Sequence, residues 1–61
     1  MTMPNRAVFE VKKKFSEAFP VFNEKTKMWQ ILVQDGEDYY ELGCGTSARE
    51  AWDKALENIS E

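Results

Sequence analysis

Histidine is absent from this chain and cysteine occurs once. A zinc site needs several Cys, His or carboxylate ligands around one ion, so zinc-finger chemistry lacks its donors and no metal is expected. One cysteine cannot close an internal disulfide. Nothing covalent staples the fold, and a reducing, intracellular setting follows. No apolar run approaches a membrane span or the hydrophobic core of a secretory signal, which points to a cytoplasmic protein with no membrane partner. Glycine is limited to Gly36, Gly43 and Gly45. A phosphate-cradling loop needs more glycines and usually a lysine, so no cofactor is expected. General base work has no histidine, and neither Cys44 nor any serine stands beside a plausible base. The chain reads as non-catalytic, with no small-molecule substrate.

What is present is a dense set of folding signals. The 61 residues make one small domain over 1–61, and 43% hydrophobic with 13% aromatic content is too apolar for a disordered chain. The organising stretch is Met28 to Ile59. Trp29, Ile31 and Val33 alternate with Met28, Gln30, Leu32 and Gln34, the period-2 pattern of a strand. Asp35-Gly36 follows, a strong hairpin signal because glycine tolerates positive φ. Tyr39, Tyr40 and Leu42 then suit a second strand. A two-residue loop pairs Ile31 with Tyr40 and Trp29 with Leu42. A four-residue loop pairs Val33 with Tyr40 and Ile31 with Leu42. Both put Tyr40 and Leu42 on the Trp29/Ile31/Val33 face, whereas a three-residue loop flips the second strand and is rejected.

Ser47 and Glu50 have the spacing of a capping box. Ala48, Ala51, Trp52, Ala55, Leu56 and Ile59 share an arc of about 140°, so a helix follows. Glu50 and Lys54 form an i,i+4 pair on its outer side. Gly43 and Gly45 bracket Cys44 where the chain leaves the strand. They are read as backbone geometry, and Cys44 as a buried or half-buried side chain. Upstream, Ala7, Val8, Val11, Phe15, Ala18 and Phe19 share an arc of about 120°, which predicts a helix over 6–19, opened by Pro4 or Asn5 and ended by Pro20. Pro20-Val21-Phe22 is a short strand, and Asn23 to Lys27 a polar turn. The fold class is α+β: a three-stranded antiparallel sheet with an N-terminal and a C-terminal helix packed on one face. Trp29, Val33, Tyr40, Trp52, Leu56 and Phe15 are the expected core.

Charge is divided along the chain. Residues 1–27 carry a net +3 and residues 28–61 a net −6. Asp35, Glu37, Asp38 and Glu41 concentrate negative charge at the hairpin and second strand. With both helices on the Trp29 face, the other face of the sheet holds Met28, Leu32 and Tyr39 among Gln30, Gln34 and Glu41. It is either a wet surface or a contact surface.

The α-β-β-β-α order, the Pro-Val-Phe first strand and the run from Gly43-Cys44-Gly45-Thr46-Ser47 through Ala51 to Leu56 resemble the double-stranded RNA-binding domain. That family carries a G-x-G-x-S-K-K-x-A pattern at the same junction. Ala48 and Arg49 stand where it has its two lysines. The sheet-plus-helix half also resembles AP2-type and integrase arm-type DNA-binding modules. The resemblance implies RNA contacts from Arg49, from Lys25 and Lys27 in the first hairpin turn, and from Lys12, Lys13 and Lys14 on the first helix.

Two functions are therefore expected. The first is a non-catalytic protein-interaction or regulatory module, a possible homodimer. It would use the open sheet face, with Met28, Leu32, Tyr39 and Phe9 as apolar anchors. The alternative is a nucleic-acid-binding module using the six basic residues.

Overall fold

Alternation in the organising stretch becomes a hairpin of two eight-residue strands. In the computed structural model, which describes residues 6–60, the elements run α1 (Arg6–Lys14), β1 (Phe19–Asn23), β2 (Met28–Asp35), β3 (Asp38–Gly45) and α2 (Ala48–Ile59). The sheet is antiparallel in the order β1-β2-β3. The expected α+β class and element order hold.

The tip of the β2–β3 hairpin is tighter than a four-residue loop. Asp35 pairs with Asp38, so Gly36 and Glu37 alone make the turn, and Gly36 has φ +66°. Val33 pairs with Tyr40, the register of the four-residue option. That register does not persist. A bulge shifts the ladder between Ile31 and Leu32, and Ile31 pairs with Gly43 rather than Leu42. Two consecutive residues, Leu42 and Gly43, are buried as a result.

Gly43 and Gly45 are required by close approach. A Cβ on Gly43 would lie 2.3 Å from the Ala55 backbone nitrogen, and one on Gly45 2.7 Å from Cβ of Glu50. Alanines answer the glycines from α2: Ala51 and Ala55 are wholly buried. Ser47 caps α2 by accepting from the Glu50 N–H at 3.1 Å. The Glu50 carboxylate returns one residue further than a standard capping box, to the Thr46 N–H at 2.8 Å and the Thr46 hydroxyl at 3.2 Å. Its partner is thus Thr46, not the Lys54 expected from i,i+4 spacing. Those two bonds, the backbone one first, hold the Glu50 carboxyl below the ordinary carboxylate range, with a smaller contribution from the Lys54 charge.

The first helix is shorter than the arc predicts. It ends at Lys14, and the Ala18 N–H bonds the Phe15 carbonyl at 3.0 Å in a turn. Phe15 and Ala18 still face the core across that turn, which is why the periodicity ran on. Phe19 does not. It begins β1, because the residue before a proline is steered to extended backbone. The β1–β2 turn closes with Lys27 in the left-handed region at φ 61°, its N–H donating to the Asn23 carbonyl at 2.8 Å. The Asn23 side chain also accepts from the Lys25 N–H at 2.9 Å.

The core is Ala7 and Val11 from α1, Ala18, then Ile31, Val33 and Leu42 from the sheet, and Ala51, Trp52 and Ala55 from α2. Phe15, Trp29 and Leu56 pack on it, half-buried. Tyr40 does not join it. It shares the face of Val33 yet is 62% exposed, because it lies beyond the reach of the helices. α2 lies on the sheet, and α1 packs against α2.

Candidate interaction surface

Strand parity turns alternate residues to the face away from α2. On β2 these are Met28, Gln30, Leu32 and Gln34. Register brings Phe19 beside Leu32 and Val21 beside Gln30 from one side, and Tyr39 beside Gln34, Glu41 beside Leu32 and Cys44 beside Gln30 from the other. Met28, Leu32 and Tyr39 thus share one surface, as the alternation predicts. Phe9 does not belong to it. It stands 62% exposed on α1, with the Lys13 ammonium 5.5 Å from its ring centroid.

The surface is more apolar than the sequence pattern suggested. Phe19 and Tyr39 come from the two outer strands and meet over β2 edge-to-face, with ring centroids 5.9 Å apart. Phe19, Val21, Met28 and Leu32 are half-buried, while Tyr39 is 61% exposed. Sequence reading missed Phe19 because it falls on the helical arc, and Val21 because a three-residue strand shows no parity. Cys44 is exposed on this same face, not buried. The Gln30 amide donates to the Glu41 carboxylate at 3.4 Å, turning it across the sheet. Glu41 is the face's one charged side chain among the described residues.

The six basic candidates do not form one patch. Lys25 and Lys27 lie in the β1–β2 turn. The pairing of Trp29 with Gly45 puts that turn at the same end of the sheet as the start of α2, where Arg49 is exposed. The α1 lysines divide. Lys12 sits 5.9 Å over the Trp52 ring, and Lys14 donates to the Ile59 carbonyl at 3.3 Å, at the far end of α2. At that far end the last turn of α1 and the start of β3 share a groove of about 520 Å³, lined by Lys14, Phe15, Tyr40, Leu42, Asn58 and Ile59 among others. Asn58 crosses its floor to donate to the Leu42 carbonyl. Among the described residues no helix is long and apolar enough to cross a membrane. Comparison with protein-family models, curated proteins and solved structures finds no match for this chain.

Proposed function

We propose that the domain is a non-catalytic interaction module that takes a protein partner on the open face of its sheet. The observation that carries the reading is the Phe19–Tyr39 contact across β2, with Leu32 paired to Phe19, which joins all three strands into one apolar band. A band with a single carboxylate suits a partner surface that is itself apolar and uncharged at its centre. Large, contiguous aromatic surface of this kind is what interface hot spots are made of. The test is the double variant Leu32→Glu with Tyr39→Glu. Partner capture should be lost while circular dichroism stays native, because an unpaired carboxylate buried at an interface is costly and one on a wet surface is not. Capture that survives both substitutions sinks the reading.

A second reading is a duplex-binding module similar to the double-stranded RNA-binding domain. It is supported by the α-β-β-β-α order and by Lys25, Lys27 and Arg49 at one end of the sheet. It would add Lys12, Lys13 and Lys14 from α1. A mobility-shift assay with duplex RNA and duplex DNA at low salt separates the two. A salt-dependent shift favours this second reading, and none favours the first.

A further inference from the structure

The groove between the end of α1, the start of β3 and the last turn of α2 has no part in the function proposed above. Its volume of about 520 Å³ is that of a small-molecule pocket. Its walls are already packed in place. Leu42 is buried, and Phe15 and Ile59 are half-buried against the core. Tyr40 adds an aromatic side that is 62% exposed. Lys14 is the one cation among the lining residues. Its ammonium donates to the carbonyl of Ile59, which also lines the groove, at 3.3 Å. One of its three N–H groups is used there, and two remain. Among the described residues no carboxylate lies within 4.0 Å of it. Glu41 also borders the groove, but its carboxylate is turned to the Gln30 amide on the open face. Asn58 gives one amide N–H to the Leu42 carbonyl and keeps the other.

We propose that this groove binds a small monocarboxylate with an aromatic body, its ring against Phe15 and Tyr40 and its carboxylate on the Lys14 ammonium. Charge complementarity selects the anion. The lining offers a cation with no carboxylate partner and a neutral amide donor, and the one acidic residue beside them faces elsewhere. The two aromatic walls select the ring, since offset and edge contacts between rings add to the gain from burial. The Ile59 carbonyl already holds the ammonium in place, so less side-chain freedom is lost when the ligand arrives. A carboxylate on that ammonium forms a charge-assisted hydrogen bond, stronger than a bond between neutral groups. The site leaves the open sheet face free, so it stands or falls apart from the function proposed above.

Titration of the whole chain with 4-phenylbutyrate, followed by amide NMR shifts, tests this. The Kd should be on the order of 1 mM, the range open to so small a ligand in a groove open to water. Shifts should centre on Phe15, Tyr40, Leu42, Asn58 and Ile59. The neutral 4-phenylbutanol should bind roughly threefold to tenfold more weakly, and 4-phenylbutylamine more weakly still. Lys14→Met keeps the side-chain stem and removes the charge. It should weaken phenylbutyrate by the same factor and leave phenylbutanol unchanged. Tyr40→Ala should weaken both ligands. Its side chain lies outside the core, so this variant decides the matter even if Lys14→Met does not fold. No saturable shift at millimolar phenylbutyrate overturns the proposal. So does equal binding of acid and alcohol, or phenylbutyrate binding that either variant leaves intact. Shifts centred on Phe19, Val21 and Leu32 would give the ligand to the open face and overturn it as well. A blocked dipeptide, acetyl-Gly-Phe with a free carboxylate, is the last arm. Binding tighter than that of phenylbutyrate assigns the groove to a protein C-terminus and overturns the small-molecule assignment.

Discussion

The two faces of this sheet carry similar apolar side chains and meet different fates. One holds Trp29, Ile31, Val33 and Leu42 and is closed by helices. The other holds Phe19, Val21, Met28, Leu32 and Tyr39 and is not. Hydrophobicity alone does not separate them. What marks the covered face is the lack of side chains: Gly43 and Gly45 on β3 meet Ala51 and Ala55 on α2. Backbones approach where nothing stands between them, and the large residues on either side then close the core. The open face has an aromatic or branched residue at most of its apolar positions and no such gap. Neither helix lies on it.

The largest expected effect lies on the covered side. Trp52 is 5% exposed, and Trp52→Ala should cost about 3–5 kcal/mol. That is a large share of the stability of a domain this small, so urea denaturation should show a chain largely unfolded at room temperature. A loss below about 1 kcal/mol would deny the covered face its core. Next comes Gly43→Ala. The added methyl has backbone on its path and no flexible side chain to displace, so α2 must lift. A cost of about 1–3 kcal/mol is expected from thermal melts, and a neutral result would mean that the glycine–alanine seam does not seat the helix. On the open side, Leu32→Glu with Tyr39→Glu should shift stability by less than about 1 kcal/mol in the same melts. A loss comparable to that of Trp52→Ala would erase the contrast between the faces.

The smallest effect is a pH dependence at the start of α2. The folded state lowers the Glu50 pKa, so its contribution is present above the unfolded carboxylate value of about 4.3 and is lost as pH falls through the lower folded value. Wild type should melt above Glu50→Gln near neutrality, with the gap closing in acid. A gap that widens in acid contradicts the Thr46 bonds.

Much of this fold was legible in the residues. The capping spacing and apolar arc located α2 from Ala48 to Ile59, and Asp35-Gly36 located the hairpin. The misses share a cause. Periodicity reports which side a residue faces, not where the chain bends or how far a neighbour extends. Phe15 and Ala18 kept pointing inward after α1 had ended, so the arc overran into Phe19. Tyr40 was assigned the correct face and the wrong environment, because nothing in its own strand says where the helices stop. The bulge at Leu42 breaks period two in a single step, and its one local mark is the glycine that follows. The candidate surface was legible in Met28, Leu32 and Tyr39. Its full extent was not, since Phe19 joins it only through a ladder with β2.

The bond from Asn58 to the Leu42 carbonyl has a consequence for life in a crowded solution. A three-stranded sheet has two bare borders, and each can template the next strand of an aggregate. On β3 the bulge breaks the regular spacing of donors and acceptors, and Asn58 donates to the Leu42 carbonyl beside it. On β1, Pro20 leaves a place with no N–H to offer. Each border therefore carries one position at which a growing ladder would stall. Among the described residues, each border thus resists being lengthened by a further strand.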